Sequence, residues 1–218
     1  MSFSPFYSRR AFLGRISGLS ALAALFPFKL FGISEFVKNK FGERMIERYP
    51  PFNDARSKKV IFVAHCIINM NARCNGSGVA PSAMEKIPEF LLKHHIGIAQ
   101  MPCPELGCLG LGREGNIYDQ LSTPGNRKYL KSLAQDVIYQ VKQYRKQNFK
   151  VLGVLGINCS PSCGVDCHAD NGSKPGKGAF MEELTEALEA AGMEMPVIGV
   201  MNAEADKAVA QLEKLDKS

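Results

Sequence analysis

Four short apolar runs constrain the fold more than any other feature of the chain: VIFVAHC (60–66), IGIAQMPC (96–103), VLGVLGI (151–157) and PVIGV (196–200). Each is short for a helix and rich in aliphatic and β-branched residues, the pattern of a strand buried on both faces. Helical segments separate them. Ser82-Ala83-Met84-Glu85 has the form of a capping box, and a helix is predicted from there to about His95, with Pro88 in its first turn and Gly97 stopping it. Asn126 is placed to cap a long helix over 127–147, whose Leu130, Leu133, Val137, Val141 and Tyr144 share one face. A third helix is predicted over 180–192, ended by Gly192, and a last one from Ala203 to about Leu215. Strands alternating with helices imply a parallel sheet with covered faces. The expected fold is therefore single-domain α/β: a short parallel sheet of about four strands with helices on both faces, a Rossmann-like three-layer arrangement occupying 59–218.

Charge separates this domain from what precedes it. The chain of 218 residues carries a net charge of +6. Residues 1–58 hold 10 Lys and Arg against 4 Asp and Glu, whereas 59–218 hold 17 of each. The domain is neutral, so it lacks the basic footprint of a nucleic-acid binder, and no nucleic-acid partner is expected. The basic segment opens MSFSPFYSRRAFLGRISGLSALAALFPFKLFG, in which Ser8-Arg9-Arg10-Ala11-Phe12-Leu13-Gly14 has the twin-arginine form. The weakly apolar run from Ile16 to Phe28 is too short to span a bilayer unaided, which takes about 20 residues. Such a segment is an address rather than part of the fold. Residues 1–32 are thus expected to be a twin-arginine signal or anchor and 33–58 a linker. The translocase of that route is the expected partner, and the periplasm or cell exterior the destination. No clear A-x-A cleavage site follows Ala24, so retention as a membrane anchor goes with this reading.

Seven cysteines fall at Cys66, Cys74, Cys103, Cys108, Cys159, Cys163 and Cys167. None lies in a predicted helix or in the middle of a predicted strand. Cys66 and Cys103 end the first two strands, and three more follow the third within INCSPSCGVDC (157–167). In an open parallel sheet, ligands bind beyond the carboxyl ends of the strands. The pattern therefore delivers thiols from three strands to one edge. Spacing leaves three chemistries open: an iron–sulfur cluster on thiolates, a tetrahedral zinc site, or disulfides and free thiols. An odd count leaves at least one thiol unpaired under the last.

Met101-Pro102-Cys103-Pro104-Glu105 and Ser160-Pro161-Ser162-Cys163-Gly164, preceded by the strand-ending Cys66, resemble the 2-thiouracil desulfurase family. The likeness covers roughly 59–200. It implies a [4Fe–4S] cluster held by Cys66, Cys103 and Cys163 with one iron free of protein ligands. It also implies a small sulfur-containing, thiocarbonyl-type substrate that loses its sulfur without net redox chemistry. Glu105 would sit beside the cluster as the acid/base, since a carboxylate next to a metal can activate water; the bland alternative is that it caps the N-terminus of a helix after strand two. Ser162 and Ser160 would donate hydrogen bonds to substrate or cluster sulfur, or shape the turn. His65 is expected to pack beside Cys66, and His168 to be exposed in a polar loop. The competing class is a non-catalytic extracytoplasmic metal-binding (zinc) or thiol-redox protein.

Two loops depart from the family's pattern. IINMNARCNGSG (67–78) replaces an Arg-Tyr-Asp-Gly-like stretch, and LGCLGLGREGNIYDQ (106–120) replaces a Gly-Gly-Leu-Pro-Arg-like one. Asn69, Asn71, Arg73 and Arg113 in these loops are candidates for substrate contacts. Cys74, Cys108, Cys159 and Cys167 exceed what such a site needs, and are left to disulfides after export, a second metal or a fourth ligand.

Overall fold

The structure is a computed structural model and describes residues 52–115 and 118–217. The expected leader lies outside the described residues, as does most of the linker. Among the described residues no helix is long and apolar enough to cross a membrane.

Four strands form one sheet: β1 (Lys59–Val63), β2 (Gly97–Gln100), β3 (Lys150–Ile157) and β6 (Val197–Val200). Their order is β2-β1-β3-β6 and every pairing is parallel. Unbroken burial runs along β1 from Val60 and along β3 from Leu152. Residues that alternate between the two faces can all be buried only when both faces are covered. One helix pair is α5 (Pro124–Lys146) with α6 (Ala179–Ala190), α5 also meeting β3. The other is α2 (Lys86–Lys93) with α7 (Ala205–Lys217), which meet β2 and β6. The α/β fold and its four-stranded parallel sheet are as the sequence implies. Helix α5 buries Leu130, Leu133, Val137 and Val141 on the predicted face, and Phe62 meets half-buried Tyr144 edge-on at 6.1 Å.

Several boundaries differ, each for a local reason. Strand β1 stops at Val63, and Cys66 enters the short helix α1 (His65–Ile68) instead of ending the strand. The capping box does not form. Helix α2 starts at Lys86, Glu85 caps nothing with its side chain, and the Ser82 carbonyl accepts from Met70 N–H. Pro88, which has no N–H, falls in the first turn as expected. That helix ends before Gly97: His95 takes the left-handed conformation at φ 56°, and Ile96 N–H reaches back to the Leu91 carbonyl at 2.8 Å. This is a Schellman closure with histidine where glycine is usual. Helix α5 begins two residues before Asn126, behind Thr123 and Pro124, and Asn126 bonds the Gln120 carbonyl. Gly192, at φ 62°, follows α6 as predicted.

Besides α1, two helices and a hairpin have no counterpart among the predicted elements. Helices α3 (Pro104–Leu109) and α4 (Tyr118–Leu121) occupy the segment after β2. A two-stranded antiparallel hairpin, β4 (Cys167–Ala169) and β5 (Ser173–Pro175), follows β3. Its turn holds Asn171 and Gly172, both at positive φ. Cys66 and Cys108 therefore lie in helices, contrary to expectation, and Cys167 opens a short strand.

Candidate functional site

Chain order reverses on either side of β1, whose neighbours are β2 and β3. At such a switch point the segments leaving the carboxyl ends diverge and open a crevice. A cavity of about 440 Å³ lies here, within the range of about 300–1,000 Å³ usual for small-molecule sites.

Three thiols line it: Cys66 from α1, Cys103 at the start of α3, and Cys163 from the loop after β3. Each has a hydrogen-bond donor near its sulfur. Arg73 Nη2 lies 3.8 Å from Cys66 Sγ, and the Leu106 N–H donates to Cys103 Sγ at 3.4 Å. Arg113 Nη2 is 4.0 Å from Cys103 Sγ, and Ser162 Oγ is 3.5 Å from Cys163 Sγ. Burial pushes all three thiols above their ordinary pKa, Cys163 furthest, with the neighbouring thiols adding repulsion there. Arg73 offsets part of that shift at Cys66, and the Leu106 N–H part of it at Cys103. Thiols kept protonated by burial become thiolate ligands only when a bound cation takes the proton's place on sulfur, the proton being released.

Glu105 sits in the first turn of α3, where Cys103 Sγ is the N-cap acceptor for the Leu106 N–H. Its carboxylate joins the site's polar network instead. Ser162 Oγ donates to Oε1 at 2.7 Å and Ser160 Oγ to the same atom at 3.3 Å. Arg113 Nε donates to Oε2 at 3.4 Å. Ser162 is 1 % exposed, so this bond is shielded from water. Ser160 also serves the backbone. Its Oγ accepts from Cys163 N–H at 3.0 Å and so holds the turn that presents Cys163.

The remaining candidates divide. Arg73 lines the cavity, donating to the Ser77 carbonyl and to Asn202 Oδ1. Arg113 lines it too, but its donors are committed to Glu105 and to the carbonyls of Gly110 and Ala72; it positions rather than reaches for a ligand. Asn69 bonds His65 Nε2, and Asn71 bonds Asn69; neither asparagine lines the cavity. His65 does, and its partial burial lowers its pKa against a weaker rise from the Met101 backbone. His168 is not free in solvent: its ring lies 4.7 Å from that of Tyr118. Sequence reasoning missed Asn158, whose Oδ1 accepts from Val165 and Asp166 N–H and organises the cysteine loop. An asparagine just past a strand is itself a turn signal. Nothing local marks Asn202, which reaches Arg73 from beyond β6.

Among the described residues, no group of three or more His, Cys, Asp or Glu side chains is arranged to hold a single metal ion. The donor set at the cavity, three thiols with cationic, N–H and hydroxyl groups near their sulfurs, is of the chemical kind that a thiolate-held iron–sulfur cluster takes.

Compared with known proteins, the chain is similar to the Uncharacterized protein MJ0003 of Methanocaldococcus jannaschii, at 33 % identity over 164 residues. The match covers 74 % of this chain and 99 % of that protein. No family model matches, and no solved structure matches.

Proposed function

The chain belongs to the family of the Methanocaldococcus jannaschii protein MJ0003, and from that premise and the site above we propose that it is an iron–sulfur-dependent desulfidase acting on a small thiocarbonyl compound. In the overall reaction the substrate's C=S and one water become C=O and hydrogen sulfide, with no net electron transfer. The observation that carries the reading is the meeting of Cys66, Cys103 and Cys163 with a Glu105 carboxylate in one cavity. The resemblance of the same stretches, Met101–Glu105 and Ser160–Gly164, to 2-thiouracil desulfurases supports it. Cys66, Cys103 and Cys163 would hold a [4Fe–4S] cluster, which when bound supplies a Lewis-acidic iron for the substrate's sulfur.

The chain's own residues supply the rest. Glu105 Oε2, held by Arg113, and Oε1, held by Ser162, keep the carboxylate in one orientation toward the cavity. There it takes a proton from the attacking water and returns one to the departing sulfur. Ser162 fixes that carboxylate. Arg73 offers the cavity a cationic wall against which a polar substrate edge can lie.

Metal analysis tests the reading directly. Anaerobically purified chain is expected to be brown, with about four irons per chain. Cys163→Ser should lose the colour and sulfide release together. A colourless wild-type protein, folded and free of iron after anaerobic reconstitution, would end it. The twin-arginine form of Ser8–Gly14 extends the proposal to export in folded form. Arg9→Lys with Arg10→Lys should hold the protein in the cytoplasm, and continued export of that variant would remove the assignment.

A further inference from the structure

Two cysteines left unused by this reading stand side by side at the rim of the same cavity. Cys159, which lines the cavity, follows β3, and Cys167 opens β4. Their Sγ atoms are 2.6 Å apart, and Cys159 N–H donates to the Cys167 carbonyl at 2.9 Å. Backbone and side chain thus both bring the two ends of this segment together. Cys159 also takes the left-handed conformation, φ 59°, unusual for a residue with a side chain and kept only where the surroundings impose it. Here the surroundings are a tight loop. Ile157 N–H bonds the Cys163 carbonyl, Gly164 N–H bonds the Ser160 carbonyl, and the Asn158 side chain holds Val165 and Asp166. At Gly164 a Cβ would come within 2.2 Å of the Cys167 carbonyl oxygen. Both cysteines are only half-buried, and Ser173 Oγ lies 3.3 Å from Cys159 Sγ. A reagent can reach them from outside.

We infer that Cys159 and Cys167 are a reversible thiol–disulfide pair, oxidised by exchange with a small-molecule or protein disulfide. The chemistry balances in two displacements. The Cys159 thiolate attacks one sulfur of the external disulfide, whose S–S bond breaks and whose other sulfur leaves as a thiolate. The Cys167 thiolate then attacks Cys159 Sγ in the mixed disulfide and expels the second external thiolate. Two protein thiols lose two electrons and two protons in all, and one external disulfide becomes two thiols. The second displacement is intramolecular between atoms already in contact, so the mixed species is short-lived.

The consequence lies inside the closed loop. Residues 159–167 carry Ser160, Ser162 and Cys163, so the disulfide ties together the ends of the segment that presents them. Oxidation would rigidify that rim while leaving Cys66, Cys103 and Cys163 unpaired. The inference does not depend on the desulfidase reading, because it needs only the two thiols and the loop.

The test uses the full chain, incubated anaerobically with oxidised or reduced glutathione, then unfolded, alkylated and digested. With oxidised glutathione, mass spectrometry should find the peptides of Cys159 and Cys167 joined, lighter by two hydrogens and released by dithiothreitol. With reduced glutathione both cysteines should be alkylated. The oxidised chain should melt about 5 °C or more above the reduced chain, and Cys167→Ser should abolish that difference. Alkylation of both cysteines after oxidised glutathione overturns the inference, as does a bond from Cys159 to Cys74 or Cys163. The peptide map of the wild-type chain decides this even if the variant does not fold, and it reads the same whether or not iron is present.

Discussion

Replacing Glu105 by glutamine is expected to lower sulfide release from a thioamide or thiouracil by about 10²–10⁴-fold, the usual contribution of a positioned acid/base, while the iron stays bound. The substitution keeps the shape of the side chain. Its amide oxygen can turn toward Arg113 Nε and its NH₂ group can donate to Ser162 Oγ, so the contacts at 3.4 and 2.7 Å persist. None of the three thiols loses a neighbouring polar group, because Arg73, Leu106 N–H, Arg113 and Ser162 Oγ all stay beside their sulfurs. What disappears is the capacity to take a proton. The variant should also lose about 1–3 kcal/mol of stability, since the Arg113 side chain, 4 % exposed, gives up its counter-charge. That loss reads out in urea unfolding, separately from turnover. Full turnover in the variant, with iron retained, would remove Glu105 from the chemistry.

How much of this was legible beforehand follows from the range over which each feature is encoded. Strands β1 and β3 are marked by their own residues, because an unbroken apolar run has no other good solution in a small α/β domain. The buried face of α5 is equally local, a period of 3.6 residues sustained over about four turns from Leu130 to Tyr144. Helix ends were less legible, since they are decided by one or two residues. His95 takes a conformation that sequence statistics reserve for glycine, and Pro88 overrides a capping pattern that starts too early. The hairpin of β4 and β5 has strands of three residues, too short for alternation to register, although Asn171-Gly172 is a known turn signal.

The site was half legible for the same reason. Parallel strands send their carboxyl ends to one edge, so cysteines just after β1, β2 and β3 had to come near one another. Which side chains touch depends on strand order, which no local pattern carries. Ser162 reaches Glu105 across 57 residues only because β2 and β3 both flank β1. The short contact between Cys159 and Cys167 is local in sequence, yet it rests on a left-handed cysteine that no sequence pattern gives reason to expect.

Gly178 is where fold and site depend on one missing atom, and Gly178→Ala is expected to cost about 1–3 kcal/mol of stability and about 10²-fold in turnover. Its backbone, at φ −74° and ψ 159°, suits any residue, so the glycine is not there for conformational freedom. It is there for space. A Cβ would lie 2.6 Å from the Ser162 carbonyl carbon, 2.7 Å from its oxygen and 2.9 Å from Gly164 N. All three are backbone atoms that no rotamer change can move aside. The start of α6 clasps the S-P-S-C turn at this point: Ala179 N–H bonds the Pro161 carbonyl, and Phe180 and Met181 N–H bond that of Ser162. A methyl group must therefore push α6 and the turn apart, displacing Ser162 from Glu105 and Cys163 from the cavity. Gly192→Ala is the matched comparison. Gly192 sits at φ 62° with nothing near its Cβ position, so alanine there costs about 1–2 kcal/mol of backbone strain and should leave turnover and iron content unchanged. Equal stability losses with turnover lost only in the Gly178 variant would tie activity to the geometry of this turn. Wild-type turnover in Gly178→Ala would show that the position of Ser162 and Cys163 does not limit the reaction.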